Sequence, residues 1–174
     1  MLGHFGFSNI GLIYMLLIEI PNLVWACHKP KGYDPSGENK VLLIFERAGQ
    51  ILCTAAILFF SDYNPRNLEP WTAWLFASAA LMVMYEIYWI RYFRSNQTVK
   101  DFYRSLIGIP APGALLPVAA FLLLGIYGKV IWLIVSSVIL GIGHIGIHLQ
   151  HISVLNGRNR NAKVKCLNGH ARKP

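Results

Sequence analysis

Charged side chains are scarce in this chain. Asp, Glu, Lys and Arg make up 14% of its 174 residues, whereas apolar residues make up 55%. Soluble domains carry about 25% charged residues, so this composition excludes an ordinary soluble domain and indicates a polytopic membrane protein. A net charge of +8 would indicate nucleic-acid binding in a soluble protein. Here the basic residues lie in loops and in the tail, so we expect a lipid bilayer as the partner and no nucleic acid.

Motifs that would identify a reaction are also missing. The three cysteines, Cys27, Cys53 and Cys166, form no CxxC pair and no zinc-type spacing. The chain contains no HExxH motif, no cofactor-binding signature in its loops and no internal repeat. Glycines in residues 141–146 match a nucleotide-binding fingerprint, but no strand precedes them and they lie inside an apolar run. The sequence therefore predicts no particular reaction and no catalytic residue.

Long apolar runs predict an all-α bundle of five transmembrane helices. The predicted spans cover about residues 7–27, 41–60, 71–90, 105–126 and 130–152. Each has about 20 residues, which is enough to cross roughly 30 Å of hydrocarbon. Prolines 110, 112 and 117 predict irregular or kinked backbone in the first half of the fourth span. We expect one membrane domain over residues 1–155, followed by a basic and mostly disordered tail over residues 156–174.

The distribution of basic residues predicts the orientation of the bundle. Thirteen Lys and Arg residues fall in the segments at one side, and only Arg66 and Lys129 fall at the other. The positive-inside rule then places the amino terminus outside and the carboxyl terminus in the cytosol. We expect a multipass protein of the plasma membrane. Aromatic residues near the cytosolic end of the third span, Tyr88, Trp89 and Tyr92, suit an interfacial belt.

Three histidines interrupt the fifth span. His144, His148 and His151 are spaced at i, i+4 and i+7, so on a helix they share a sector of roughly 60°. Polar groups in membrane helices usually face the bundle interior or a water-filled cavity. The stripe therefore marks the inward face of this helix. Nearby glycines predict a close approach of a neighbouring helix.

The other polar residues of the spans fall at a similar depth. Counting 1.5 Å per residue from the span ends places the glutamates about 8 to 13 Å from the cytosolic side. The polar set in this leaflet is Glu19, Asn22, Glu46, Arg47, Gln50, Glu86, His144, His148 and His151. Their shared depth predicts a polar pocket that opens to the cytosol.

Several members of this set also have simpler interpretations. Arg47 is adjacent to Glu46 and points about 100° away from it, so it either extends to the headgroups or pairs with Glu19 or Glu86. Glu86 and His151 lie close enough to the interface to be solvated. His144 and His148 could serve only as interhelical hydrogen-bonding groups.

We favour a pocket that binds a small ligand, an ion or a proton, and the sequence leaves other classes open. A metal-dependent membrane enzyme acting on a lipid or isoprenoid would use His144 and His148 with Glu19 or Glu46 as metal ligands, and a divalent metal is the cofactor that this spacing suits. A proton-coupled carrier would need a second copy, because five spans without a repeat do not form a complete carrier. A non-catalytic assembly subunit, in a homo-oligomer or with a membrane partner, would use the polar groups only to hold helices together.

Overall fold

The structure of the chain consists of helices and connecting loops. A computed structural model describes the backbone of residues 2–65 and 67–170, and the side chains of these residues up to Gly157 together with Arg160. Its helices are α1 (Asn9–Cys27), α2 (Lys40–Leu58), α3 (Ala73–Phe93), α4 (Val99–Phe102), α5 (Pro112–Gly128) and α6 (Ile131–His170). Single 3₁₀ turns, Ser61–Tyr63 and Pro70–Thr72, lie between α2 and α3. The described ranges contain two isolated bridges and no strand.

Most of these helices are compatible with a membrane bundle. Four stretches are long and apolar enough to cross a bilayer: Asn9–Cys27, Lys40–Leu58, Pro70–Phe93 and Ile131–Gly157. The apolar helix α5 has 17 residues, somewhat fewer than the ~20 that a span usually needs. The predicted all-α class is confirmed at this level. The number of crossings and their direction remain predictions.

The start of α5 differs from the predicted fourth span. The span was expected from residue 105, but the helix begins at Pro112. Prolines disfavour helical backbone in the residue before them, and Ala111 before Pro112 has a left-handed φ of 46°. Residues Leu106 and Ile109 instead form a tight isolated bridge. Pro112 occupies the first helical turn, where its missing N–H costs nothing.

The end of α6 also differs from the expected boundary. The helix continues to His170, through residues 156–170 of the segment expected to form a disordered tail. Residues 171–174 of that tail lie outside the described residues. The division of the chain at residue 155 remains a prediction.

Close backbone contact joins α2 to α6. A Cβ atom added to Gly143 would lie 2.2 Å from the Glu46 nitrogen, and one added to Gly49 would lie 2.4 Å from the Leu140 Cα. Both distances are far below ordinary contact, so only glycine fits at these two positions. Helix α6 packs in turn against α5, and α5 packs against α3. The close approach predicted from the glycines of α6 is therefore confirmed, with α2 as the partner helix.

Helix α1 makes its closest backbone contact near its amino-terminal end. Gly11 lies against the carbonyl of Ile57, so that a Cβ there would meet its oxygen at 2.0 Å. Further along, the Tyr14 hydroxyl lies 3.0 Å from the Ser78 hydroxyl of α3. Beyond this point cavities separate α1 from α2.

The loop between α1 and α2 folds back onto α6. The Gln150 side chain donates to the Gly37 carbonyl at 2.6 Å and accepts from the Asn39 backbone N–H at 3.2 Å. These bonds hold residues 28–39 against the middle of α6. We call this end of the bundle, which also carries α4, the loop end.

Candidate functional site

A carboxylate and an imidazole meet where α2 and α6 touch. His144 Nδ1 lies 2.5 Å from Glu46 Oε1, and the side chains are 23% and 14% exposed. The contact follows from the preceding residue, because Gly143 lets the α6 backbone approach the backbone of Glu46 itself.

This pair forms part of the wall of a cavity of about 380 Å³, which we call the polar chamber. The volume lies within the range usual for small-molecule sites. Among its lining residues are Asn22, Lys29, Tyr33, Glu38, Glu46, Arg47, Gln50, Trp89, Phe102, His144 and His148. Lys29, Arg47 and Gln50 are exposed, so the chamber reaches the surface of the bundle.

A second cavity, of about 450 Å³, lies between α1 and α2. We call it the lateral chamber. Its walls are mainly apolar and include Met15, Ile18, Val118, Phe121 and Leu140. The two chambers share several lining residues, among them Asn22, Lys29, Arg47, Gln50 and His144. They therefore adjoin along a common wall.

His148 also faces the polar chamber. Its ring centroid lies 4.7 Å from that of His144, 5.6 Å from Tyr103 and 5.8 Å from Phe102. Within the described part of the chain its nitrogens make no hydrogen bond. This imidazole is thus held by ring packing, and its donor and acceptor atoms remain available to a ligand.

His151 lies in a separate cluster at the loop end. Its Nε2 is 2.9 Å from Glu38 Oε1, to which the Tyr33 hydroxyl donates at 3.2 Å. The imidazole ring stacks on Tyr33 at 5.3 Å and on Tyr103 at 5.6 Å. Burial, followed by the negative charge of Glu38, raises the pKa of the Tyr33 hydroxyl. Burial and the charges around it also raise the pKa of Tyr103.

The remaining predicted site residues divide between the chambers. Asn22 donates to the Tyr85 hydroxyl at 2.8 Å and to the Ile18 carbonyl at 2.7 Å, and it lines both chambers. Glu19 is exposed and lines only the lateral chamber. Glu86 lines neither chamber, and its Oε1 is buried without a hydrogen-bond partner among the described residues.

The residues suggested as metal ligands do not come together as a set. Among the side chains that the structure describes, those up to Gly157 and that of Arg160, no group of three or more from His, Cys, Asp or Glu is placed to share an ion. Glu46 and His144 are in contact, whereas Glu19 lines the other chamber. The geometry supplies a two-residue pair and a nearby imidazole, without a third convergent carboxylate.

Two features around the candidate site do not follow from the sequence pattern. Glu38 lies in a polar loop with no periodicity, and the folding of that loop onto α6 brings it to His151. The predicted aromatic belt is wrong for part of α3: Tyr88, Trp89 and Tyr92 are at most 2% exposed. They pack around Phe102 of α4, which covers this face of the helix.

The arrangement combines an acid–imidazole pair, a free imidazole and two cationic side chains around one open cavity. Such groups can bind and release protons or hold a charged ligand. Comparisons of the chain with family models, with curated proteins and with solved structures gave no match.

Proposed function

We propose that the chain is a multipass membrane protein that binds a small ligand, an ion or a proton in the polar chamber. The Glu46–His144 pair would anchor the bound species. The observation that carries this proposal is the 2.5 Å contact of that pair on the wall of a 380 Å³ cavity. Ionisable residues at membrane depth are costly, and those that line a cavity usually belong to a ligand or proton pathway.

We further propose that the chain lies in the plasma membrane and that its loop end faces the cytosol. In the sequence, thirteen of the Lys and Arg residues fall in the segments predicted for this side of the membrane, against two predicted for the other. The polar chamber would then open from the cytosolic leaflet. No nucleic-acid partner is part of this proposal, because the basic residues are accounted for by orientation.

Thiol labelling tests whether the chamber is open to water. Gln50 lines both chambers, and it lies ten residues into α2, or roughly 15 Å from the start of the helix. In a protein whose three native cysteines are replaced by alanine, we expect Gln50→Cys to react with a membrane-impermeant cationic methanethiosulfonate from the cytosolic side. The matched control is Ile51→Cys, because Ile51 is 71% exposed on the outer face of the bundle and would face hydrocarbon. Equal labelling of the two positions, or labelling of Gln50→Cys only from outside, contradicts the proposal.

Protection of the same thiol tests binding. Sodium phosphate, calcium chloride and tetramethylammonium chloride serve as probes for an anion, a divalent metal and an organic cation. We expect at least one of them to slow the labelling of Gln50→Cys. The protection should disappear when Glu46→Gln and His144→Gln are added. If none of the three slows labelling, the proposed binding of a small ligand or an ion is wrong.

A non-catalytic assembly role is the second candidate. It is favoured by the fact that Glu46–His144 and Glu38–His151 each join two separate segments of the fold. In this case the polar pairs only stabilise the bundle, and a homo-oligomer or a membrane partner would supply the function. This candidate predicts that Glu46→Gln lowers thermal stability but does not change how strongly any probe protects Gln50→Cys from labelling. A metal-dependent enzyme acting on a lipid is the weaker alternative, because the described residues gather no three-ligand set.

A further inference from the structure

We propose that the two chambers together bind a single-chain amphiphile with an anionic head group, which enters from the bilayer between α1 and α2. This inference rests on the proposed function, because it names the class of ligand for the same cavity. The head group would occupy the polar chamber near Lys29 and Arg47. The alkyl chain would occupy the lateral chamber.

The two chambers fit the two halves of an amphiphile. The polar chamber carries the Glu46–His144 pair and the His148 imidazole. The lateral chamber adds apolar side chains such as Met15 and Phe121 to the polar residues that it shares with the first chamber. Because the chambers share a wall, one molecule can place its polar end in the first and its apolar end in the second. A small polar solute would leave the lateral chamber without a matching occupant.

The charges around the shared wall favour an anion. Lys29 and Arg47 line both chambers, and in the described part of the chain neither forms an ion pair or a donated hydrogen bond. The Lys29 ammonium lies 5.8 Å from the centroid of the Trp25 ring. An unpaired arginine beside a cavity is suited to a phosphate or carboxylate, which its guanidinium binds in a bidentate manner.

The carboxylates of the polar chamber do not neutralise these two cations. Glu46 is hydrogen-bonded to His144, and Glu38 contacts His151. Glu19 is the remaining acid, and it lines only the lateral chamber, with an exposed side chain. Among the described residues, neither cation is therefore paired with a carboxylate, so both are placed to contact an anionic head group.

The position of α1 provides an entry path. The helix is fixed near its start by the contact of Gly11 with the Ile57 carbonyl. At the loop end it is separated from α2 by the lateral chamber, and Glu19, Ala26 and Gln50 are exposed around this gap. An amphiphile already in the bilayer can pass through such an opening without crossing water.

This route has an energetic consequence that can be measured. An alkyl chain gains little free energy by moving from lipid into the lateral chamber, since lipid tails are as apolar as the side chains that line it. The head group must then determine affinity. Selectivity among amphiphiles of equal chain length should follow head-group charge.

The test uses the full-length protein in phosphatidylcholine nanodiscs with radiolabelled dodecyl phosphate as the probe, after subtraction of the signal from empty nanodiscs. We expect unlabelled dodecyl phosphate and dodecanoate to compete. Dodecyltrimethylammonium and monolauroyl glycerol should compete at least tenfold less well. The two anionic competitors distinguish a phosphate ligand from a carboxylate ligand. Equal competition by the cationic or neutral amphiphile overturns the proposal.

Variants assign the two halves of the site. Lys29→Gln combined with Arg47→Gln should weaken dodecyl phosphate binding at least tenfold, whereas Lys29→Arg, which keeps both cations and the Arg47 guanidinium, should retain most of it. Arg94→Gln is the matched control, because Arg94 is an exposed cation at the same end that lines neither chamber. Unchanged binding in the double Gln variant contradicts the charge argument.

A substitution in the lateral chamber separates chain from head group. Ala26→Trp should fill part of this chamber and abolish dodecyl phosphate binding, while inorganic phosphate still protects Gln50→Cys from labelling. If Gln50→Cys is protected only by tetramethylammonium, the proposed function stands and the anionic amphiphile is wrong. If Gln50→Cys is closed to water and no probe binds, both proposals fail.

Discussion

A single methyl group at Gly143 should separate α2 from α6 and break the candidate site. In Gly143→Ala the new Cβ would lie 2.2 Å from the Glu46 nitrogen and 2.6 Å from the Leu42 carbonyl oxygen. Both are backbone atoms, so no side-chain rotation relieves the clash. Reaching an ordinary contact of 3.4 Å requires a movement of about 1.2 Å, which is the difference between 3.4 Å and 2.2 Å.

The same movement acts on the neighbouring residue. A displacement of about 1 Å stretches the His144–Glu46 contact from 2.5 Å to roughly 3.5 Å, at the limit of a hydrogen bond. Overpacking of this kind costs about 1 to 3 kcal/mol, and loss of the interhelical bond adds about 0.6 kcal/mol. Alanine recovers up to ~1 kcal/mol through its better helix propensity. We expect a net loss of about 1 to 3 kcal/mol.

Thermal unfolding of the purified protein measures this loss. For a chain of this size, it corresponds to a decrease in Tm of about 2 to 12 °C. Gly141→Ala is the matched control in the same helix, because its Cβ would meet only the Val118 and Ile145 side chains, at 3.1 and 3.7 Å. Gly157→Ala has no atom within 4 Å of its Cβ and should be neutral or stabilising. A Gly143→Ala protein that melts at or above the temperature of Gly141→Ala would refute the reasoning.

Three further predictions concern the attachments around the site. Tyr14→Phe removes the hydroxyl that lies 3.0 Å from the Ser78 hydroxyl and should lower the free energy of unfolding by about 0.6 kcal/mol. A loss above about 2 kcal/mol would mean that the Tyr14 hydroxyl contributes more than this one interhelical hydrogen bond. Gln150→Ala removes the 2.6 Å bond to Gly37, so limited proteolysis should cut the 28–39 loop faster, and an unchanged rate would show that this bond does not hold the loop. Burial and Glu38 raise the pKa of the Tyr33 hydroxyl, so its neutral form stabilises the folded loop below pH ~10, and this stability is lost as the pH rises further. Tyr33→Phe should therefore keep tryptophan fluorescence constant to a higher pH than the unchanged protein, and an identical alkaline transition would exclude Tyr33 as its cause.

The sequence predicts the helices, and the positions of polar residues along them, better than it predicts the partners of those residues. Apolar runs and a rise of 1.5 Å per residue locate Glu46 and Glu86 along their helices. The rotation of a helix about its own axis is harder to predict, because a helix that is apolar on all sides has no strongly marked inward face. Glu46 contacts His144, whereas Glu86 lines neither chamber. A similar position along two helices therefore does not guarantee a shared site.

The histidine stripe illustrates the same limit on one helix. Its three members do share a face of α6, yet they meet different surroundings: His144 contacts Glu46 of α2, and His151 contacts Glu38 of the loop. His148, between them, packs against the rings of Phe102 and Tyr103. Helical periodicity gives the common direction of these side chains. The identity of each neighbour depends on how α2, α4 and a non-periodic loop pack against α6. Helical periodicity carries no information about that packing.

The location of the cavities follows from unequal packing among the helices. Glycine contacts bring α2 and α6 to backbone distance at Gly49 and Gly143, and such tight contacts leave no room for a ligand. Helix α1 has only one comparable contact, at Gly11, and two side-chain hydrogen bonds to α3, from Tyr14 and Asn22. Elements with few packed contacts open at a lower free energy than the core. A polar site at the boundary between a tightly packed pair and a loosely attached helix can therefore admit a ligand by displacement of α1 alone, while the Glu46–His144 pair on the rigid side keeps its geometry.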